Sequence, residues 1–298
     1  FKFGSTTSSD QVPKQKDLMK EFYTLTNKKI QERLCLQPAM LAQFYSQKSG
    51  GVSWMSSAYN GHGISSKAML YAIKSRLLCQ LFFTGGMRGQ RCECRHSRRP
   101  NRRSGTIPKI VLDDAKQVYH ALSCPEYNGR FKERHDRLYE IFMKLVTENI
   151  VGAEVSKEVF VYAEQDRAVM KKADVMIRFP DQEVFYIDFA ICNSAGGLYS
   201  KSSLETVLKD REDAKRKLYV PTLGSGSRMN YFVPFIMDQS CNFGKQAINF
   251  LQRLQSYSEN KHLTKWIKTA LEIYMVEWNS EFVPVYNAQV DMSVGPAG

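Results

Sequence analysis

The stretch Ala173-Asp174-Val175-Met176-Ile177-Arg178, followed by Phe179-Pro180-Asp181-Gln182-Glu183 and then Val184-Phe185-Tyr186-Ile187-Asp188-Phe189-Ala190-Ile191, decides how this chain reads. Its two apolar runs have strand composition, and the residues between them carry turn chemistry. A hairpin centred on Asp181 sets 174 against 188, 176 against 186 and 178 against 184. In that register Val175, Ile177, Phe185 and Ile187 share one apolar face. Asp174 and Asp188 become cross-strand neighbours on the other face, with Cβ atoms about 5 Å apart. Carboxylates that close repel unless a proton or a cation stands between them. A divalent ion with oxygen ligands, Mg²⁺ or Mn²⁺, is the expected occupant. The rival reading is an ordinary hairpin whose Asp side chains face solvent.

Working outward, α and β signals alternate from residue 130 in the order α-β-β-β-α-β-α. A helix follows Gly129 through Leu138, Ile141, Phe142, Leu145 and Val146. Strands are expected at 154–163, 172–178 and 184–191. Then come a Lys/Glu-rich helix over 203–219, a strand over 231–237 and a helix over 244–257. Pro234 marks the late strand as an edge or a bulge. Upstream, residues 1–15 have the composition of disorder, and helices are expected over 15–34 and from Ser65 or Ser66 to Leu81. Downstream, an amphipathic segment covers 263–276. These signals divide the chain into a tail and helical lead-in (1–83), an Arg-rich segment (84–128), an α/β core (129–258) and a C-terminal helix and tail (259–298).

The net charge of +12 makes a polyanion the natural partner: DNA, or RNA. No apolar run approaches the roughly 20 residues that span a bilayer, so no membrane partner is expected. Seven scattered cysteines suit a reducing compartment better than a disulfide framework. A chain opening on Phe1 without Met or secretory signal reads as a fragment of something longer.

Arg88, Arg91, Arg95, Arg98, Arg99, Arg102 and Arg103 crowd one glycine- and proline-broken segment, opposed there only by Glu93. Such a run is either a solvated linker or a nucleic-acid contact. Cys92 and Cys94 fall inside it, and His120 and Cys124 follow. Together they have the ligand types for a tetrahedral Zn²⁺ site, with His96 and His135 as rival ligands. A segment this poor in apolar residues needs such a staple to be ordered. The rival is a set of unrelated thiols.

Phosphodiester hydrolysis needs carboxylates for metal, a positioned water and a cation for developing charge. Asp174 and Asp188 supply the first, with Glu158 as a weaker third acid. In a D/E-x-K strand a lysine would stand two residues after the second acid, where this chain has Ala190. Lys215 and Lys217, on the helix that follows, are the candidate replacements, and Tyr219 is expected to pack rather than react.

The ordered series Cys92/Cys94, His120-Ala121-Leu122-Ser123-Cys124, Arg134-His135-Asp136, Ala173-Asp174-Val175, Tyr186-Ile187-Asp188, Ala214-Lys215-Arg216-Lys217-Leu218-Tyr219 and Phe232-Val233-Pro234-Phe235 resembles the restriction-like endonuclease region of site-specific non-LTR retrotransposons. The resemblance covers roughly residues 50–256. It implies an α/β, restriction-endonuclease-like PD-(D/E)xK core, a central mixed sheet flanked by helices, preceded by a helical and zinc-knuckle region. It further implies metal-dependent nicking of target DNA in the nucleus, beside a reverse transcriptase in a larger polyprotein. By position, Asp174 and Asp188 would hold Mg²⁺, Lys215 or Lys217 would be the displaced catalytic lysine, and Cys92, Cys94, His120 and Cys124 would form a structural zinc knuckle that helps grip DNA. Ala173 replaces the family's proline, and the segment between the zinc halves is longer than the usual pattern. The alternative is a catalytically inactive, zinc-stabilised nucleic-acid-binding module descended from such a nuclease. A third reading is a protein-interaction domain.

Overall fold

The computed structural model describes residues 64–76, 91–92, 110–111, 120, 122–124, 127–163, 166, 168–194, 202–224 and 226–293, with single positions at 21, 24, 25, 28, 29 and 32. The expected N-terminal disorder, most of the helix over 15–34, the helix end at 77–81, Cys94, His96 and the arginines of the 88–103 segment other than Arg91 lie outside the described residues.

The first described helix, α1, is Ser66–Arg76, and Ser65 Oγ caps it by accepting from the Ala68 amide at 3.2 Å. A two-residue antiparallel pair, β1 (Arg91–Cys92) with β2 (Ile110–Val111), follows. From Asn128 the order is α2 (Asn128–Asn149), β3 (Glu154–Tyr162), β4 (Met170–Arg178), β5 (Val184–Cys192), α3 (Leu204–Leu223), a 3-10 turn (Ser227–Tyr231), β6 (Phe232–Asp238), α4 (Lys245–Ser256) and α5 (Leu263–Ser293). The α-β-β-β-α-β-α order expected from residue 130 is what the chain forms.

The four strands make one mixed sheet in the order β3-β4-β5-β6. β3, β4 and β5 are antiparallel neighbours, while β6 returns through α3 to lie parallel to β5. β4 and β5 pair as Met176↔Tyr186 and Arg178↔Val184, the register set by a turn centred on Asp181. The turn closes through Phe179 N to Glu183 O at 2.8 Å, and Asp181 accepts from the Glu183 amide at 3.1 Å. Pro234 does lie in an edge strand, where its missing N–H costs no ladder bond on the open side.

Helices cover both faces. On one, α2 buries Leu138, Phe142 and Val146 against Val175, Ile177, Phe185, Ile187, Phe189, Val233 and Phe235, joined by α4 and by Leu263, Ile267, Leu271 and Met275 of α5. The helix after residue 258 is therefore part of the same core. It runs well beyond the expected 263–276, because Trp278 and Phe282 are buried too. Trp278 also lies under the buried Arg134 guanidinium, whose carbon is 4.5 Å from the ring centroid. On the other face α3 packs Val207 and Leu208 against Ala190, Cys192 and Ile236. α3 passes Pro221, where the sequence suggests a stop near 219. The Pro costs one helical hydrogen bond, but continuing buries Thr222 and Leu223, and Gly224 at φ 68° ends the helix. Among the described residues no helix is long and apolar enough to cross a membrane.

α4 has an unusual start. Its cap position is Gly244, and the buried Glu212 of α3 accepts from the Gln246 amide at 2.8 Å in place of a local cap. A Cβ on Gly244 would stand 2.3 Å from Glu212 Oε1. Gly244→Ala is therefore expected to evict that carboxylate and lower stability by about 1–2 kcal/mol, the range for a lost cap. Urea titration checks this, and an unchanged midpoint would show that Glu212 does not hold the helix.

Candidate active site

The β4–β5 ladder ends at Val175↔Ile187, one residue short of the two acids. Asp174 and Asp188 therefore stand where the strands part, and the parting leaves the backbone of Phe189 without its ladder partner on β4. Side chains replace it. Asp174 Oδ2 accepts from the Phe189 amide at 2.7 Å, and His135 Nε2 lies 3.1 Å from the Phe189 carbonyl. The same His135 nitrogen is 3.3 Å from Asp174 Oδ2, while its Nδ1 is 3.2 Å from Asp136 Oδ1. Asp136 is in turn ion-paired with Lys132. On the far side of β4, the β3–β4 ladder skips the position opposite Asp174. Pairing jumps from Lys157↔Val175 to Val159↔Ala173, and the intervening Glu158 has φ 56°, a strained value for a non-glycine residue in a strand. Glu158 meets Lys172 at 2.9 Å.

Asp188 is buried, and Lys215 Nζ reaches its Oδ2 at 2.7 Å from α3. The phase of α3 explains the choice between the two lysines. Tyr219, four residues on from Lys215, is pinned to the sheet by stacking on Phe232 at 4.1 Å and by donating to the Lys172 carbonyl at 2.7 Å. Lys215 shares that face. Lys217 is about 200° round the helix from Lys215 and is exposed. The structure thus brings Asp174, Asp188 and Lys215 together and leaves Lys217 apart. Tyr219 packs, as expected.

The electrostatics follow from burial and neighbours. Burial pushes the Asp188 carboxyl up to about 6; Lys215 opposes that rise and the Asp174 charge adds to it. For Asp174 burial is again the largest influence, but His135 and the Phe189 amide outweigh it and hold the carboxyl below the usual range. Burial disfavours the His135 imidazolium, yet its bonds to Asp174 and Asp136 and to the Phe189 carbonyl carry it up to about 9. Side by side, the two carboxyls are therefore pushed in opposite directions, Asp188 toward holding its proton and Asp174 toward losing it.

His135 is the residue whose place the sequence did not reveal. The structure sets this residue, which the sequence offers as a rival zinc ligand, against Asp174, because α2 buries Leu138 and Tyr139 and so aims the preceding turn at the strand ends. The Arg134-His135-Asp136 string opening an amphipathic helix was the available signal.

Of the remaining expected ligands, His120 and Cys124 are both buried, and their loop is tied to the end of β5 by Asn193 Nδ2 donating to Ser123 Oγ at 3.1 Å. Cys92 is described only as backbone paired with Ile110. Among the described residues, no group of three or more His, Cys, Asp or Glu side chains is gathered for a metal. Two carboxylates nevertheless fit Mg²⁺, which is held by one or two such groups and completes its octahedron with water and phosphate.

This fit has a thermal consequence. The proton on Asp188 is held more tightly folded than unfolded, so its contribution to stability is present below about pH 4 and lost as pH rises through about 6. A cation competes for that position. Millimolar Mg²⁺ is expected to raise the melting temperature at pH 8 and to do so much less at pH 5. Scanning fluorimetry at both pH values checks this; equal shifts, or a shift that persists in Asp188→Asn, would contradict it.

No family model and no curated protein matches this chain.

Proposed function

We propose that this chain is a metal-dependent DNA endonuclease with a PD-(D/E)xK core, nicking target DNA as in the integration step of a site-specific non-LTR retrotransposon. The observation that carries the reading is the 2.7 Å contact of Lys215 Nζ with Asp188 Oδ2. It delivers, from a helix, the ammonium that Ala190 cannot supply from the strand. Around it stand the second acid, Asp174, and a fold of mixed sheet between helices.

Asp174 and Asp188 would hold Mg²⁺ or Mn²⁺, which supplies a water of lowered pKa and charge neutralisation at the phosphate. The chain's own residues do the rest. The Phe189 amide and His135 fix the rotamer of Asp174. Lys215 orients the attacking water or stabilises charge on the pentacovalent phosphate. Burial of Asp188 and the aromatic wall of Tyr219 limit water at the site. His120, Cys124, Cys92 and Cys94 would form the structural Zn²⁺ knuckle, with the arginines from 88 to 103 gripping the DNA backbone. Such a chain works on nuclear DNA, within a polyprotein that also carries a reverse transcriptase.

The test is supercoiled plasmid incubated with the protein in Mg²⁺. Nicked circles are expected with Mg²⁺ and none in EDTA. Plasmid that is bound at ordinary affinity yet stays intact would replace this reading by the inactive binding module.

A further inference from the structure

Beyond the acids, β3 and β4 continue as an arm whose outer half is apolar and uncovered among the described residues. Phe160 is 46% exposed, Tyr162 44% and Met170 49%, while Val161 between the two rings is buried. Phe160 pairs with Lys172 and Tyr162 with Met170, so the four side chains form two adjacent cross-strand rungs. The rings lie 6.3 Å apart at 41°, and Lys172 Nζ stands 6.0 Å from the Phe160 centroid. Arg228 anchors its guanidinium on the arm by donating from Nη2 to the Tyr162 carbonyl at 3.2 Å and from Nη1 to the Thr222 carbonyl at 3.4 Å. Lys157 is exposed alongside, while Lys171, paired with the buried Val161, belongs to the opposite face.

We propose that Phe160 and Tyr162 form a stacking platform for unpaired nucleic-acid bases next to the cut; this rests on the nuclease reading above. Three features select that occupant. Lysine is depleted from the cores of protein interfaces, yet here Lys172, paired with Glu158, belongs to the patch and Lys157 and Arg228 border it. In a chain of net charge +12 that border suits a phosphate backbone. Two aromatics on alternate residues of a strand, about 6.6 Å apart along it, offer successive bases successive faces, as sheet-borne aromatics do in single-strand binders. The platform is also one rung from Asp174: the position opposite that acid is Glu158, two residues before Phe160 on the same strand. Its left-handed backbone sits at the point where the arm leaves the sheet. Bases flanking a scissile phosphate at Asp174 and Asp188 would arrive on these rings.

The test is fluorescence anisotropy of a labelled oligothymidylate and of a duplex, with Ca²⁺ in place of Mg²⁺ so that no cleavage intervenes, over a salt series. The Phe160→Ala/Tyr162→Ala double variant is expected to weaken single-strand binding about tenfold or more at every salt concentration, with the slope of log K on log salt unchanged. Duplex binding should change little, and Tyr162→Phe should retain single-strand binding. Phe160→Leu, which keeps apolar packing without a π face, should weaken it even where the double variant folds poorly. Unchanged single-strand affinity in the double and Phe160→Leu variants would overturn the platform. So would a wild-type dimer that the double variant dissociates, which would make the patch a contact between copies. Wild type that binds oligothymidylate through these rings without nicking plasmid would sink the nuclease reading and keep the platform. Nicking by wild type together with unchanged binding in the variants would do the reverse.

Discussion

Lys215→Ala is expected to lower plasmid nicking by about 10²–10³-fold, the loss that follows removal of one preorganised charge-stabilising donor, while DNA affinity stays within a few-fold. The contact at stake is the 2.7 Å pairing with a buried carboxylate, and the second effect of its loss separates catalysis from folding. Burial is the largest influence on Asp188, and Lys215 is the main influence opposing it. Without the ammonium the carboxyl climbs above about 6. The acid must be ionised to hold a cation, so the acidic limb of the pH–rate profile should move to higher pH in Lys215→Ala. Lys217→Ala, on the exposed side of the same helix, should change neither the rate nor the limb. Equal losses in both variants would mean that the lysines act only through bulk charge.

Phe142→Ala should have the largest effect on stability. Phe142 is fully buried, and its ring meets Phe189 at 5.3 Å, Phe235 at 5.4 Å and Phe250 at 6.5 Å, so it ties α2 to β5, β6 and α4 at once. Deleting a ring from such a site costs about 3–5 kcal/mol through lost transfer energy and the cavity left behind. Native stabilities are only about 5–15 kcal/mol, so the urea midpoint should fall steeply with little change in slope. A loss below about 1 kcal/mol would mean that the core closes over the gap. The effect reaches the site as well. Phe189, stacked on Phe235 at 4.5 Å, is the residue whose amide and carbonyl hold Asp174 and His135.

The hairpin that carries the acids could be read from residues 173–191 alone, because two constraints fixed it together. Alternation set which side chains face inward, and the turn at Asp181 set the register. A one-residue slip would have turned one strand's apolar set, Val175 and Ile177 or Phe185 and Ile187, away from α2. The α3 lysines show where that kind of reasoning ends. Both sit on a charged helix, and composition does not say which one faces the sheet. That is settled by Ser203 capping at the Thr206 amide and by burial of Val207, Glu212, Tyr219 and Leu223. A helical wheel drawn from those positions would have favoured Lys215. His135 is harder to see in advance. Its role depends on the β4–β5 ladder opening at Phe189, a gap that appears only when helix and sheet dock. Burial of Leu223 carries α3 past Pro221 and beyond the expected end at 219, and Trp278 and Phe282 extend α5 for the same reason. Local propensity lost to packing in both places.

The most direct measurement is nicking of supercoiled plasmid in Mg²⁺ by wild type, Asp174→Ala and Asp188→Ala, with plasmid binding measured in parallel in Ca²⁺. The account expects nicking by wild type, its loss in both variants and binding preserved in all three. Intact plasmid with wild type that binds it, or nicking undiminished in Asp188→Ala, would contradict it.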